Sequence, residues 1–318
     1  MRAGRLHGGG DSAGRDPGAP AESMGITVVM KATRPTEVRR WLAEQGIRPS
    51  SVLGQNFLVD GNIARLIVDA SGVRAGDRVL EIGPGCGALT EELLARGARV
   101  RAVEKDRRLW ELLRARLGDH PPLELVLGDA LQADLGPSEI LVSNLPYSAG
   151  TRILMRIFEM ADPPSCIVVT LQREVAARLA APPGSRSRGL LSVIAQRRFV
   201  IEALRTIPAS CFHPAPDVTS TLLRLTRRDL PLGEPVEPVA FREFLKAVFG
   251  GRRKQLWNAL HRAGAIPVGS ATDGRTWLRA TGVDPVARPE ALDVAAWTRL
   301  FNALHGGKPK GGEWPACR

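Results

Sequence analysis

Aromatic residues are scarce in this chain: eight Phe, six Trp and a single Tyr among 318 residues. The lone phenol, Tyr147, falls in Ser143-Asn144-Leu145-Pro146-Tyr147-Ser148-Ala149-Gly150, directly after the apolar run Ile140-Leu141-Val142. Long apolar runs are missing as well. None approaches the ~18 residues that a membrane-spanning helix needs, and the leading segment lacks the apolar stretch of a secretory signal, so no membrane partner is expected. The four cysteines, Cys86, Cys166, Cys211 and Cys317, form no CxxC pair, and the five histidines show no ligand spacing with them. That argues against structural zinc, so no metal is expected, and it fits a reduced, cytoplasmic setting.

Acidic residues are outnumbered. Thirty-three Asp and Glu face 44 Lys and Arg, a formal net charge of +11. Such an excess suits a polyanionic partner, because cations that displace counterions supply most non-specific nucleic-acid affinity. The excess lies downstream of the tyrosine loop: seven Arg against two Glu over 165–210, and fifteen Lys and Arg against nine Asp and Glu over 227–318.

Four segments are expected. Residues 1–33, rich in Gly, Ala, Pro and Arg, read as a disordered extension. Residues 34–228 alternate strand and helix patterns, starting with a helix capped by Thr36 that ends near Gly46. The strands are expected at DRVLEI, RVRAVEKD, LELVLGDAL, SEILVSNLPY and CIVVTLQ, which implies an α/β doubly wound, Rossmann-like parallel sheet. Residues 229–305 begin with a proline-rich linker and continue as helical patterns only, a small all-α domain. Residues 306–318 read as a disordered tail.

Ligands of doubly wound sheets sit beyond the carboxyl ends of the strands, and the chemistry-bearing residues fall at those ends. Gly83, Gly85 and Gly87 open the first strand-to-helix turn, where glycine lets backbone approach a ligand and the next helix offers unpaired N–H groups. Glu104 ends the second strand 21 residues after Gly83, placed to accept both hydroxyls of a ribose. Asp129 ends the third and suits an adenine amino group. The same loop satisfies G-x-G-x-x-A, which taken alone leaves a nicotinamide cofactor open. With no hydride partner in view and the tyrosine loop as the fourth strand end, S-adenosylmethionine is the cofactor expected.

A proline after a strand is an ordinary stop signal and Asn favours a turn, which accounts for Asn144 and Pro146 but not for Tyr147. A clamp for an exocyclic amine accounts for all four residues. The Asn144 side-chain oxygen and the Leu145 carbonyl can accept two N–H bonds and localise the nitrogen lone pair. Pro146 fixes the turn. Tyr147 offers a flat face on which an unpaired base stacks, with no chemical role expected for its hydroxyl.

LGQNFLVD, VLEIGPGCGALT, VEKD, GDAL, SNLPYSAGTRIL, LQREVAARLAAPPGSRSRGLLSV, PASCFHPAPDVTSTLLRL and VFGGRRKQLWNAL occur in the order found in the kasugamycin-sensitivity dimethyladenosine transferases, which the chain resembles from about Thr36 to Leu304. The resemblance implies a class I methyltransferase fold and N6,N6-dimethylation of two adjacent adenosines in the 3′-terminal hairpin of small-subunit rRNA, within a pre-assembled small ribosomal subunit and by a monomer. It implies that Asn56 and Leu58 line the cofactor site with Gly83, Glu104, Asp129 and Asn144. It also implies that Phe212 covers the second face of the adenine, although an isolated Phe reads equally as core. In the same light Arg252, Arg253 and Lys254 contact rRNA, where a solvated helix face is the plainer alternative.

The chain departs from the family pattern at Ser148-Ala149-Gly150 (commonly Asn-Ile-Ser), at Arg188-Gly189 (commonly Tyr-Gly) and at Gln196-Arg197-Arg198 (commonly Gln-Tyr-Tyr). These positions bear on RNA contacts rather than on the chemistry. Two other readings stay open. One is a large-subunit rRNA adenine methyltransferase of the erythromycin-resistance type. The other is a non-catalytic assembly or transcription factor, which predicts damage to the glycine loop or the clamp.

Overall fold

The computed structural model describes residues 32–118, 121–250, 255–265 and 271–305. Residues 1–31 of the extension expected over 1–33, the tail from 306, and Arg252, Arg253 and Lys254 lie outside the described residues. Ala32 is already fully buried.

Helix α1 (Pro35–Glu44) takes Pro35 at its first position, where a missing N–H costs nothing and the fixed φ suits a helix. The cap expected at Thr36 is therefore not used: the N-cap residue is Arg34, and no side chain caps the helix. A two-residue strand β1 (Phe57–Leu58) leads to α2 (Gly61–Ser71), which Asp60 caps by accepting from the Asn62 and Ile63 N–H groups. The alternating unit follows: β2 (Arg78–Ile82), α3 (Ala88–Ala95), β3 (Arg99–Glu104), α4 (Arg107–Leu117), β4 (Leu123–Leu127), β5 (Ile140–Asn144), α5 (Gly150–Glu159), β6 (Cys166–Gln172), α6 (Arg173–Ala180) and α7 (Leu190–Arg198). Three strands end it: β7 (Phe199–Ile207), β8 (Phe212–His213) and β9 (Ser220–Arg227). Beyond them lie only helices among the described residues: α8 (Pro238–Phe249), α9 (Leu256–Arg262), α10 (Ala271–Ala280) and α11 (Val294–His305), with a 3₁₀ turn at Pro289–Ala291. No helix among the described residues is long and apolar enough to cross a membrane.

The central sheet has seven strands in the order β4-β3-β2-β5-β6-β9-β7. β2 to β6 pair in parallel. β9 runs antiparallel to both β6 and β7, so the sheet is not wholly parallel. The strand order reverses between β2 and β5. That switch point opens a crevice at their carboxyl ends, between the glycine turn and the tyrosine loop. β1 and β8 form a separate antiparallel ribbon, Leu58 opposite Phe212.

Central strands are covered on both faces, so they read as continuous apolar runs: Ile140, Leu141 and Val142 in β5 and Ile167, Val168 and Val169 in β6 are all buried. α5 lays Ile153, Leu154, Ile157 and Phe158 on one face, and the same apolar cluster continues through α7 to Phe244, Trp297 and Phe301. The Phe244 ring lies 5.9 Å from Trp297 and 5.6 Å from Phe301. The helices after β9 thus share apolar packing with α5 and α7.

The arginines that depart from the family pattern turn inward. Arg188 is 1% exposed; it donates to the Leu292 carbonyl at 3.2 Å, to the Ala181 carbonyl at 2.7 Å and to Gln196 Oε1 at 2.7 Å. Arg198 donates to the carbonyls of Phe158, Met160 and Ala161 at the end of α5. Arg197 donates to the Glu234 carbonyl. A guanidinium fork satisfies several orphan carbonyls at once, so these side chains tie segments together.

Candidate active site

At the switch point one cleft of about 310 Å³ is lined by Asn56, Leu58, Gly83, Gly85, Glu104, Asp129, Asn144, Leu145, Pro146 and Tyr147. Its volume lies in the range of small-molecule sites. Sequence reasoning had picked out all ten residues, and β1, β2, β3, β4 and β5 bring them together from distant segments.

The glycine turn is sterically enforced. Gly85 has φ +57°, and a Cβ there would stand 2.8 Å from Cδ1 of Phe57. The loop before β1 presses on the tyrosine loop in the same way. Gly54 has φ +67°, and a Cβ there would meet the Ser148 backbone nitrogen at 2.7 Å. Gln55 fixes this loop by accepting from the Ser50 N–H at 2.8 Å and donating to Asp106 Oδ2 at 3.1 Å.

Glu104 is 6% exposed. One of its carboxylate oxygens accepts from the Gly85 N–H at 3.1 Å and the other from the Asp106 N–H at 2.8 Å. Burial pushes its carboxyl above the ordinary value, while these backbone N–H groups pull the other way. Each oxygen keeps capacity for another donor. Asp129 accepts from Lys105 Nζ at 2.8 Å and from the Leu131 N–H at 2.9 Å. The Lys105 bond is the first cause that holds its carboxyl below the usual value, and the charge of Arg152 adds to it. A buried acceptor-only carboxylate beside a glycine cradle suits the ribose diol of S-adenosylmethionine, and the donor set fits that cofactor.

Asn144 ends β5 with its amide held on both sides. Nδ2 donates to the Asn56 carbonyl at 2.8 Å, and Oδ1 accepts from the Thr170 hydroxyl. The Leu145 side chain is buried in the core, so its backbone is what it offers to the cleft. The Pro146 carbonyl accepts from the Ala149 and Gly150 N–H groups, closing the turn. Tyr147 does not stand as a bare ring. Its hydroxyl is hydrogen-bonded to Ser220 Oγ, and Ser220 is fully buried. The hydroxyl thus has a structural partner that the flat-face reading did not include. Burial raises the phenol above its ordinary value, so it stays protonated at neutral pH and is no base.

Phe212 is placed elsewhere. It is 3% exposed, opposite Leu58 in the β1–β8 ribbon, and is not among the side chains that line the cleft.

Several site residues were not picked out from the sequence. Glu81 lines the cleft floor and is 1% exposed. Burial pushes its carboxyl up to about 8, and Oε2 accepts from Thr90 Oγ1 at 2.7 Å. A lone carboxylate inside the apolar run VLEIG was its signal. Arg152, in the first turn of α5, is exposed on the cleft rim. Among the described residues no group of His, Cys, Asp and Glu is arranged to hold a metal.

Known proteins share this architecture. The family model described as "Ribosomal RNA adenine dimethylase" matches residues 48–305. A ribosomal RNA small subunit methyltransferase A of Geobacter metallireducens is 40% identical over 273 residues, 82% of this chain and 98% of that protein. A protein of the same name from Anaeromyxobacter sp. strain K is 40% identical over 84% of this chain and 97% of its own length. Among solved structures, a dimethyladenosine transferase from Plasmodium falciparum superposes with a TM-score of 0.64 at 21% identity, over 76% of this chain and 96% of that one, a likeness of fold. The 23S rRNA methyltransferase ErmE gives a TM-score of 0.58 at 30% identity, over 78% of this chain and 99% of that one. With its glycine turn, its strand-end carboxylates and its Asn-Leu-Pro-Tyr loop around one cleft, the chain belongs to the ribosomal RNA adenine dimethylase family.

Proposed function

We propose that the protein dimethylates N6 of two adjacent adenosines in the 3′-terminal hairpin of small-subunit rRNA, acting as a monomer in the cytoplasm on an assembled small subunit. The observation that carries this reading is the Asn144-Leu145-Pro146-Tyr147 loop, which shares one cleft with Glu104 and Asp129. The names and 40% identity of the small-subunit methyltransferases support the choice of rRNA.

Bound in the cleft, S-adenosylmethionine supplies a methyl group already activated on a sulfonium. Glu104 accepts from the ribose hydroxyls, and Asp129 faces the adenine end. Asn144 Oδ1 and the Leu145 carbonyl accept the two hydrogens of the target amine, whose lone pair is otherwise delocalised into its ring. Tyr147 stacks on the target base, worth roughly 1–3 kcal/mol. Alignment carries most of the rate, and no strong base is required. Neutral Asn144 and the protonated phenol match that demand. Phe212, buried in β8 opposite the cleft-lining Leu58, stands behind that wall in this reading rather than against the adenine, and Arg252, Arg253 and Lys254 contact rRNA phosphates.

The likeness to ErmE at 30% identity keeps large-subunit rRNA as the competing substrate. Incubation with S-adenosylmethionine and either under-methylated small subunits or large subunits separates the two. Primer-extension stops at N6,N6-dimethyladenosine are expected on small-subunit rRNA alone. Stops confined to large-subunit rRNA would reverse the assignment.

A further inference from the structure

The Asn144 amide can help an exocyclic amine only if its oxygen, not its nitrogen, is presented to it. Three observations bear on what enforces this. First, the Asn56 backbone carbonyl lies 2.8 Å from Asn144 Nδ2. A carbonyl can only accept, so it selects the amide orientation and puts Oδ1 on the opposite side. Second, Oδ1 is met there by Thr170 Oγ1. With the amide so oriented, the threonine hydroxyl must be the donor. Third, Thr170 is fully buried, directly opposite Asn144 in the β5–β6 register and opposite Leu222 in β9. Its position is set by two strand pairings rather than by a loop.

We infer that Thr170 is a positioning residue for methyl transfer. Its hydroxyl braces Asn144 Oδ1 from beneath the sheet end, leaving the second lone pair of that oxygen for the target amine. The inference rests on the clamp reading proposed above. It explains a hydroxyl inside the apolar strand Cys166-Ile167-Val168-Val169-Thr170-Leu171, where Val would suit both strand propensity and burial. Without the brace, Asn144 keeps only the Asn56 bond. The terminal torsion of an amide is broad and roughly two-fold, so the oxygen would wander from the amine. A displacement of about 1 Å at a reacting centre can cost about a hundredfold in rate.

The two alternatives, packing and positioning, separate in kinetics. Thr170→Val removes the donor and keeps the shape. Asn144 borders the cleft, so water can reach the oxygen it exposes, and the melting temperature should hold within a few degrees of wild type. Single-turnover methylation of saturating, under-methylated small subunits should slow roughly tenfold to a hundredfold, with unchanged affinity for subunits and for S-adenosylmethionine. Thr170→Ser, which keeps the hydroxyl, should recover most of the rate.

Asn144→Ala sets the scale, and Thr170→Val combined with Asn144→Ala should be no slower than Asn144→Ala alone, because the brace then has nothing to hold. Three results would overturn the inference: a Thr170→Val protein as fast as wild type while Asn144→Ala is slow, an additive double variant, or Val and Ser variants equally slow. An Asn144→Ala protein with wild-type rate would remove the clamp reading itself, and this inference with it.

Discussion

At the scale of single residues, two polar groups in the cleft have partners that dictate how they respond to change. The first is Tyr147, whose hydroxyl is tied to buried Ser220 on β9. The bond fixes the tilt of the ring and satisfies a serine that would otherwise be orphaned. Tyr147→Phe should therefore cost about 1–2 kcal/mol of stability, the usual penalty for an unpaired buried hydroxyl, and weaken capture of the target base several-fold. Ser220→Ala should reproduce the capture defect, whereas Tyr147→Ala should be worse than either because the stacking face is gone. Chemical denaturation and subunit-binding titrations check this, and a Tyr147→Phe protein indistinguishable from wild type in both would show that the bond does nothing.

The second is Glu81. Its carboxyl titrates near 4.5 when unfolded and is pushed up to about 8 by burial. Between those values the folded state holds a proton that the unfolded state has released. Its contribution is full below pH 4.5 and is lost as pH rises towards about 8, at most about 1.4 kcal/mol per pH unit. Glu81→Gln should flatten that loss. Urea midpoints at two pH values, one nearer each end of this window, test it, and equal slopes for the two proteins would count against a neutral Glu81.

At the scale of elements, what could be read depended on how local the signal was. β2 to β6 lie on the expected segments because each carries a short apolar run, and in β2, β3, β4 and β5 a glycine, a carboxylate or a proline ends it or follows closely. Gly83, Gly85, Glu104, Asp129 and the loop from Asn144 to Tyr147 were legible for a like reason, since they end or follow strands, whereas Asn56 and Leu58 came only through the family resemblance. β7 and β9 were not read as strands. β7 is an edge strand exposed along much of its length, with a register shift at Ala203/Arg205, so neither alternation nor a continuous apolar run marks it. Both strands exist through pairing across the sheet. That loss propagates to the site, because Thr170 and Ser220 reach Asn144 and Tyr147 only through the β5–β6 and β6–β9 registers. Arg188, Arg197 and Arg198 illustrate the converse. As sequence they are surface cations near the tyrosine loop. In the fold they are anchored to backbone carbonyls, and nothing local distinguishes the two.

At the scale of the whole molecule, the net charge of +11 overstates what an approaching RNA meets on the tyrosine-loop side. Of the seven Arg in 165–210, Arg188, Arg197 and Arg198 point inward, and Arg178 is paired with Glu174 at 2.7 Å. Arg173, Arg186 and Arg205 remain exposed, and the backbone N–H of Arg173 donates to the Thr219 carbonyl, next to Ser220. Arg152 stands on the cleft rim. In the proposed reading, Arg152 and Arg173 meet phosphates on either side of the target adenosine. Each phosphate contact releases counterions and contributes about 0.7 to 0.9 to the salt slope of binding. Arg152→Gln and Arg173→Gln should each weaken binding to under-methylated small subunits and reduce the slope of log affinity against log salt by about that amount. Arg188→Gln, in protein shown to be folded, should leave the slope as it is, because its charge already faces carbonyls. Filter binding over a salt series measures all three. If Arg188→Gln flattens the slope and the two rim variants do not, the RNA approaches from the basic loop at 182–189 rather than over the mouth of the cleft.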